Sequence, residues 1–328
     1  MDSDQIQRRP LDPTLVRDEI DARAAMRAGD FSHWARAGEH VIREEHHNFP
    51  ERLFLFRLGD VWHVGSKTIS DLVVEHGLPG LFCSRVHWHN VLGPLTSVRT
   101  SDADVRVGFR PLDEAGRRAA FDAITPETEL THPFARHREL GQEVVAEAWE
   151  VNDHEAAQLD LGEEHIRRYT LARFGPRFAD LDTDVVAYDP ACSTGRFLAD
   201  FASLNPARIR TVGQDLSQEM VDYAAAHLER VHVGDALEPA VPPLSVDIMF
   251  VRFLNNEVVS TAQARQILPR LAFCLKPGGT MVLLGHSPLL VDAIDLVGAG
   301  MTVTQTVARQ DDHVFQYYVC ETRRLRSA

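Results

Sequence analysis

One stretch, residues 185–198, constrains the fold of this chain more than any other. An apolar run, Val185–Tyr188, ends at Asp189, and the small residues that follow lead into an amphipathic segment beginning at Phe197. This order predicts a buried β-strand, a tight turn and an α-helix. Small side chains at such a turn let the helix pack close to the strand and let a ligand lie against the backbone. The stretch therefore predicts a strand–turn–helix unit of an α/β domain.

The turn has a regular spacing of small residues. From Asp189 to Gly195, every second position carries in turn Asp, Ala, Ser and Gly. This spacing fits the D-x-G-x-G-x-G frame of nucleotide-binding α/β enzymes, with Ala and Ser in place of two glycines. An ordinary strand-to-helix turn without a ligand also favours small residues, so the strands that follow decide between the two interpretations.

Two later strands end at an acid in the same way. The strand predicted over 209–214 ends at Asp215, and the strand predicted over 231–234 ends at Asp235. An acid about 20 residues past a glycine turn, at the carboxyl end of a strand, is suited to bind the two hydroxyls of a ribose. The sequence therefore predicts a nucleoside site built from neighbouring strand ends.

The next units continue the alternation of strands and helices. Residues 246–251 predict a buried strand with a polar tip at Arg252–Glu257, and a helix over Thr261–Cys274 follows. The turn Lys276–Gly279 leads into a further strand, Thr280–Gly285. Such alternation predicts an α/β fold with a mostly parallel sheet.

Together, the three acids and the Lys-Pro-Gly-Gly turn resemble class I S-adenosylmethionine-dependent transferases. The resemblance covers about Glu164 to Glu321 and implies the seven-stranded, Rossmann-like methyltransferase sheet. In that family the loop after the first strand passes under the methionine part of the cofactor, the second acid binds the ribose and the third binds the adenine amino group. The cofactor-binding residues that the resemblance implies are Asp189, Ala191, Cys192, Ser193, Gly195, Asp215, Leu216, Asp235, Ala236, Arg252 and Arg173.

A nicotinamide-type dinucleotide domain is the main competing interpretation. It is disfavoured because the chain has no G-x-G-x-x-G motif. In addition, Arg196 follows Gly195 where a diphosphate would need backbone amides.

A finer resemblance rests on three segments, Asp189–Leu198, Arg252–Val259 and Gly285–Pro288. They are similar to a small bacterial group that contains isonocardicin synthase, an aminocarboxypropyl transferase, and azetidine-2-carboxylate synthase, which cyclises the cofactor itself. The first segment is also similar to the D-P-A-C-G-x-G motif of adenine-N6 DNA methyltransferases. Those enzymes carry N-P-P-Y or D-P-P-Y after the fourth strand, whereas this chain has Arg252–Asn255, which argues against DNA as a substrate.

The finer resemblance implies an enzyme of natural-product biosynthesis that acts at the γ-carbon of the cofactor's methionine arm and releases methylthioadenosine. Ring closure to azetidine-2-carboxylate ranks ahead of 3-amino-3-carboxypropyl transfer. Methylation of a small molecule is the alternative, because residue spacing does not reveal which carbon faces the nucleophile.

Four residues are candidates for the catalytic chemistry: Tyr169, Phe134, Asn255 and Glu257. An aromatic face at Tyr169 or Phe134 could stabilise the sulfonium cation, although both are equally well explained as packed side chains. Asn255 is suited to hold an ammonium or hydroxyl group, and Glu257 could act as a base or cap the following helix. Arg173 lies four residues after Tyr169 on one helix face, where it could pair with the cofactor carboxylate or remain solvated.

The region before the transferase domain is predicted to be a mixed, mostly helical cap over residues 1–155, with the cofactor-binding domain over residues 156–328. Helices are expected at Thr14–Ala28, Phe31–Glu45, Ser66–His76, Asp113–Ile124 and Glu139–Val151, and one at about Gly162–Phe174 enters the core. Two short strands are expected around the Gly59–Asp60 turn, and another at Val105–Phe109.

Charge and composition limit the kinds of partner that the protein is expected to bind. The net charge of −14 disfavours nucleic acid, whose affinity comes largely from cationic contacts. No apolar run approaches the length of a membrane span, and the four cysteines contain no C-x-x-C pair, which is typical of a reducing cytoplasm. We therefore expect a cytoplasmic enzyme with a small-molecule substrate, and the sequence leaves a homodimer open.

Three further interpretations are disfavoured: a metal site, a cofactor-binding protein without catalysis and a cofactor-dependent regulator. The 16 histidines suggest a metal, but the tightest sets, His46–His47 and His87–His89, lack a third ligand at useful spacing, so no metal is expected. A cofactor-binding protein without catalysis would lose the polar tip of the fourth strand, and a cofactor-dependent regulator would carry a DNA-binding segment. The sequence has the polar tip at the fourth strand and shows no DNA-binding segment.

Overall fold

The computed structural model describes residues 35–36, 39–45, 51–68, 85–101, 103–132, 164–252, 254, 259–285, 289, 291 and 293–322. The predicted helices Thr14–Ala28 and Glu139–Val151 lie outside these residues, as does the predicted domain boundary after residue 155. Within the residues that are described, no helix is long and apolar enough to cross a membrane.

The N-terminal half contributes an antiparallel sheet of six strands, in the order β1-β2-β7-β6-β4-β3. Strand β2 lies next to one edge of this sheet, and β3 forms the opposite edge. The buried side chain of Glu44 in β2 nevertheless accepts a hydrogen bond from Leu53 N in β3 at 2.7 Å. This bond shows that the sheet curls towards closure. The elements are β1 (Ala35–Arg36), β2 (Glu39–Glu45), β3 (Glu51–Leu58), β4 (Val61–Thr68), β5 (Val86–His87), the 3₁₀ turn Trp88–Asn90, β6 (Val91–Thr100), β7 (Asp104–Phe109) and α1 (Glu114–Asp122).

The prediction of a mostly helical cap is not what the described N-terminal residues show. The helix expected over Phe31–Glu45 is wrong for Glu39–Glu45, which pair with β7 as a strand. The buried Ile42 and Glu44 alternate with the exposed Arg43, and this period of two suits a sheet with one buried face. The helix expected from Ser66 is also wrong at its start, since Ser66–Thr68 belong to β4.

Other N-terminal predictions are confirmed. The hairpin of β3 and β4 turns at Gly59, whose φ of 57° favours glycine. The strand expected at Val105–Phe109 is β7. Helix α1 begins after Asp113, whose side chain accepts a hydrogen bond from Gly116 N at 2.8 Å, as an N-cap should.

The C-terminal half forms a sheet of eight strands rather than the predicted seven, in the order β10-β9-β8-β11-β12-β14-β13, because β5 of the N-terminal half pairs with β14. Strands β8 to β12 are parallel, and β14 and β13 are antiparallel additions. The strands are β8 (Val185–Asp189), β9 (Ile209–Asp215), β10 (Arg230–Val233), β11 (Val246–Arg252), β12 (Leu275–Leu284), β13 (Met301–Gln310) and β14 (His313–Thr322).

Helices cover both faces of this sheet. Along β11, Ile248 and Phe250 face one core cluster, whereas Met249 and Val251 face the other. Burial on both faces explains why β11 is a continuous apolar run rather than an alternating one. The helices are α2 (Glu164–Phe178), α3 (Arg196–Ala202), α4 (Gln218–Ala224), α5 (Thr261–Cys274) and α6 (Ala293–Gly298).

The Lys-Pro-Gly-Gly segment is part of β12 rather than a turn before it. The register between β11 and β12 shifts after Val246, which pairs with Leu275. Gly278, with φ of 78°, lies in the bulge that results.

The two sheets share a core along β13 and β14. Phe54 and Phe121 from the N-terminal half pack in one cluster with Val307 and Val314. Gln316 of β14 is also buried there, and its amide nitrogen donates to Leu130 O at 2.8 Å. The N-terminal sheet is thus joined to the antiparallel edge of the C-terminal sheet.

Replacing Gln316 by Met should lower the free energy of unfolding by about 2–4 kcal/mol, since a buried carbonyl (Leu130) and a buried amide (Leu289) lose a partner. Urea denaturation followed by circular dichroism measures the change. Gln218→Met removes an exposed hydrogen bond to Asp222 and serves as the matched control, expected within about 0.5 kcal/mol of wild type. Equal stabilities for the two variants would contradict the prediction.

Candidate functional site

The three predicted acids lie on adjacent strands but at different heights. In the register of the sheet Asp189 is level with Gly213, two residues before Asp215, and Asp215 is level with Val233, two residues before Asp235. Each step of two residues corresponds to about 6–7 Å along a strand. Accordingly Asp189 is fully buried, Asp215 is half-buried and Asp235 is exposed. The carboxyl edge therefore presents the second and third acids and encloses the first.

The loop after β8 turns sharply between strand and helix. Ser193 and Gly195 both have positive φ, of 50° and 78°. A Cβ on Gly195 would lie 2.9 Å from the Cβ of Ala224, so glycine is needed for close packing between this turn and α4. The predicted small-residue turn is therefore present, and its glycine serves helix packing.

A buried ion pair supports this loop from below. Arg252 Nε at the end of β11 donates to Asp189 Oδ2 at 2.6 Å, and Arg252 Nη2 donates to Cys192 O at 2.8 Å. Both charged side chains are at most 2% exposed. Ala191 N donates to the other carboxylate oxygen at 3.0 Å. Asp189 and Arg252, both predicted to bind the cofactor, thus hold the loop that would carry it.

Burial raises the pKa values of two side chains at the loop after β8, Asp189 and Cys192. It raises the pKa of Asp189, and the adjacent Arg252 guanidinium opposes that rise. Burial also raises the pKa of the Cys192 thiol, which lies wholly inside the loop. Cys192 therefore fills space and stays protonated at neutral pH.

Asp215 is the acid best placed to receive a ligand. Its Oδ2 accepts a hydrogen bond from Ser193 N at 2.8 Å, and its Oδ1 accepts one from Ser217 N at 3.0 Å. Burial raises its pKa to about 6 although these two amides oppose the rise. The loop after β8 and the start of α4 therefore orient a carboxylate that still reaches the surface.

The third acid lies in a loop held by a residue that the sequence prediction missed. Asp235 Oδ1 accepts from Leu237 N at 2.8 Å, while Ala236 is buried beside it. The buried Gln214 donates from Nε2 to Asp235 O at 2.8 Å and accepts from the Tyr188 hydroxyl. The position of Gln214, directly before the second acid at the carboxyl end of β9, was the signal that could have identified it.

The exposed surface around Asp215 and Asp235 fits a nucleoside. Leu216 and Val233, at the ends of β9 and β10, are 45% and 50% exposed. Apolar side chains beside two carboxylates offer a surface for a flat base next to acceptors for hydroxyl and amino groups. S-adenosylmethionine, bound here by Asp215 and Asp235, would supply a sulfonium centre with three electrophilic carbons.

Tyr169 and Arg173 make side-chain hydrogen bonds to Gln305 of β13. The Tyr169 hydroxyl accepts from Gln305 Nε2 at 2.7 Å, and its ring is edge-on to Phe315 and Tyr317. The exposed Arg173 donates from Nε to Gln305 Oε1 at 3.4 Å. In sheet order β11 and β12 separate these contacts from β8. Their roles towards a cofactor stay predictions.

The other catalytic candidates, Phe134, Asn255 and Glu257, lie outside the described residues. Their roles likewise stay predictions.

Comparison with known proteins identifies the family of this chain. A family model described as a methyltransferase domain matches residues 187–279. Isonocardicin synthase from Nocardia uniformis subsp. tsuyamanensis is 36% identical over 295 residues, covering 87% of this chain and 96% of that protein. The chain belongs to the isonocardicin synthase family. This chain carries the class I S-adenosylmethionine-dependent methyltransferase fold, and the resemblance to the isonocardicin synthase group is confirmed.

Solved structures of methyltransferases are also similar in part. An S-adenosylmethionine-dependent methyltransferase from Aquifex aeolicus matches with a TM-score of 0.40 and 19% identity, covering 52% of this chain and 99% of that one. The N-methyltransferase NodS from Bradyrhizobium japonicum matches with a TM-score of 0.36 and 14% identity, covering 49% and 99%.

Binding of S-adenosylhomocysteine should weaken as the pH falls through about 6, because protonated Asp215 loses an acceptor for the ribose hydroxyls. Affinity is full above this pKa and drops by up to about tenfold per pH unit below it. Titration calorimetry between pH 4.5 and 8 measures the profile. Asp215→Asn should bind more weakly with no step near pH 6. A flat wild-type profile would count against Asp215 as the ribose acceptor.

Arg252→Met should lower the free energy of unfolding by about 3–5 kcal/mol, because Asp189 is left buried without its cation. Urea denaturation measures the loss, and adding Asp189→Asn should restore part of it. Arg265→Met breaks a more exposed pair with Asp295 and is the matched control, with an expected loss below about 1 kcal/mol. Similar losses of unfolding free energy in both variants would show that the buried pair contributes no more to stability than the exposed one.

Proposed function

We propose that this enzyme binds S-adenosylmethionine and directs a nucleophile to the γ-carbon of its methionine arm, in natural-product biosynthesis. The observation that carries the proposal is the 36% identity to isonocardicin synthase, which extends over 87% of the chain. The similarity includes the N-terminal half as well as the nucleoside site. The two proteins are thus similar in both halves and not only in the cofactor-binding fold, and this supports γ-carbon chemistry in both.

The specific reaction that we propose is ring closure by the cofactor's own α-amine. The bond from nitrogen to Cγ forms as the bond from Cγ to sulfur breaks, the electron pair stays on sulfur, and methylthioadenosine leaves. One proton is lost from nitrogen, giving azetidine-2-carboxylate. A small molecule is thus the only substrate, and no second partner is required.

An intramolecular reaction makes modest demands on the protein. Effective molarities for well-oriented intramolecular attack are large, so the site mainly has to fold the arm back and exclude other nucleophiles. In the described part of the chain, the residues that would hold the nucleoside are Asp215 and Asp235, together with the apolar surface of Leu216 and Val233. Holding the nucleoside there would direct the sulfonium towards the loop after β8.

Transfer of the 3-amino-3-carboxypropyl group to an outside acceptor is the second candidate. It is favoured by the similarity to isonocardicin synthase, the aminocarboxypropyl transferase of the group that the sequence resembles. It uses the same nucleoside site and the same leaving group. Small-molecule methylation is the remaining alternative and would release S-adenosylhomocysteine instead.

Incubation of the pure protein with S-adenosylmethionine labelled with ¹⁵N at the amine should yield methylthioadenosine and ¹⁵N-azetidine-2-carboxylate in equal amounts. Mass spectrometry identifies both products. The nitrogen label shows that the amine of the same molecule closed the ring. Asp215→Ala, which lacks the ribose acceptor, should be at least about tenfold slower at subsaturating substrate, the equivalent of a lost charged hydrogen bond.

The spontaneous breakdown of the substrate also gives methylthioadenosine, but its partner product is homoserine lactone. A protein-free incubation measures that background. If methylthioadenosine forms only after a phenol or amine is added, the reaction is group transfer and not ring closure. S-Adenosylhomocysteine as the enzymatic product would reject γ-carbon chemistry in favour of methylation.

A further inference from the structure

The amide group of Gln214 is buried at the carboxyl end of β9, directly before Asp215. A primary amide can donate two hydrogen bonds and accept two. In Gln214 all four bonds are made inside the protein, and three of them go to the backbone of residues 234–240. We call these residues the Asp235 loop. The side-chain amide of Gln214 is therefore committed almost wholly to the loop that carries the third acid.

The bonds of Gln214 hold the Asp235 loop at its start and at its end. Gln214 Nε2 donates to Asp235 O at 2.8 Å and to Glu238 O at 3.2 Å. Gln214 Oε1 accepts from Ala240 N at 2.8 Å and from the Tyr188 hydroxyl. Backbone groups inside a protein need hydrogen-bond partners. Because one side chain is the partner of three such groups, the path of the loop depends on where this amide lies.

The backbone around Gln214 holds the neighbouring loops as well. Gln214 O accepts from Cys192 N, in the loop after β8, at 2.8 Å. Asp215 O, the next carbonyl, accepts from Gly234 N at 2.9 Å. A Cβ on Gly234 would lie 3.2 Å from Gln214 Nε2, so glycine at this position leaves room for the amide. Gln214 thus contacts both loops that flank β9 and directly precedes the second acid.

The Asp235 loop presents one carboxylate oxygen to the exterior. Asp235 is exposed, and its Oδ1 accepts from Leu237 N at 2.8 Å. No residue in the described part of the chain donates to its other oxygen, Oδ2. A carboxylate accepts a hydrogen bond from an amino group, whereas it repels a carbonyl oxygen, which has no hydrogen to donate. The position of this acceptor follows the Asp235 backbone, which Gln214 holds.

We propose that Gln214 is a positioning residue for base recognition, placing Asp235 so that the site prefers a purine with a 6-amino group over one with a 6-oxo group. The inference rests on the nucleoside part of the proposed function and does not depend on which carbon of the cofactor reacts. Gln214 is buried and acts through the Asp235 loop. The preference for adenine is thus set in β9 as well as after β10.

Three substitutions separate the bonds of this amide. Gln214→Met removes all four hydrogen bonds with little change in side-chain volume. Gln214→Glu keeps an oxygen that accepts from Ala240 N and loses the donor to Asp235 O. Tyr188→Phe removes one donor to Gln214 and leaves the bonds of Gln214 to the Asp235 loop.

Gln316→Met is the matched control. Gln316 is also buried, and its amide likewise binds backbone groups, Leu130 O and Leu289 N. It lies in β14, which three strands, β8, β11 and β12, separate from β9 in sheet order. A loss of stability should therefore occur in both Gln214→Met and Gln316→Met, and a loss of base recognition only in Gln214→Met.

Calorimetry measures the affinity of each full-length variant for S-adenosylhomocysteine and for S-inosylhomocysteine, which carries a 6-oxo group in place of the 6-amino group. Wild type should bind the adenosine form about 10- to 100-fold more tightly, the range of a hydrogen bond to a charged group. In Gln214→Met and Gln214→Glu this ratio should fall to about threefold or less. The fall should come from the adenosine form, with affinity for the inosine form within about twofold of wild type. Tyr188→Phe and Gln316→Met should keep the wild-type ratio within about threefold.

A double variant shows whether Gln214 acts through the acid. Asp235→Ala should also lower the ratio of the two affinities to about threefold or less. Adding Gln214→Met to Asp235→Ala should then change the ratio by less than about twofold, because two residues that act through one contact are not additive.

A wild-type ratio in Gln214→Met, or equal losses of affinity for both ligands, would overturn the inference, since equal losses show a general structural effect. A lowered ratio in Gln316→Met, or a further fall in the double variant, would do so as well. A wild type that binds both forms equally overturns the inference and leaves the proposed function in place. A wild type that binds neither form overturns both.

Discussion

The ion pair between Asp189 and Arg252 is the contact on which the carboxyl edge of the parallel sheet depends. It joins β8 to β11 underneath the loop that would carry the cofactor, and the same guanidinium binds the loop backbone at Cys192 O. A buried charge without a partner is strongly unfavourable, so each of the two residues requires the other. The buried Arg252 guanidinium therefore stabilises the sharp turn of the loop after β8 through its bonds to Asp189 and Cys192 O.

The site also shows how one residue type acquires different roles from depth alone. Three aspartates end three adjacent strands, yet the stagger of the strands buries one, half-buries the next and exposes the last. The deepest is neutralised by a guanidinium, and the middle one is bound by two amides and keeps a raised pKa. The outermost initiates a turn. Only the two outer acids remain available to a ligand.

Much of the C-terminal sheet was predictable because its strands are apolar runs that end at acids or small residues, and such local patterns need no knowledge of distant contacts. The strand Glu39–Glu45 was mistaken for a helix because its alternation is short and its partner β7 is far along the chain. Arg252 was placed correctly at a strand tip, but its partner lies 63 residues earlier, and only the fold shows that the pair is buried. Tyr169 was assigned from its neighbours on one helix, whereas its contact with Gln305 arises from the fold.

The addition of β5 to β14 constrains the order in which the chain can fold. Val86 and His87 pair with the start of the last strand, and Gln316 binds a carbonyl 186 residues earlier. During synthesis on the ribosome, Val86 and His87 must therefore wait for their strand partner until β14 has been made. Contacts of such long sequence separation form slowly and leave strand edges exposed meanwhile. Loss of β14 would thus uncover apolar side chains in the half of the protein that is made first.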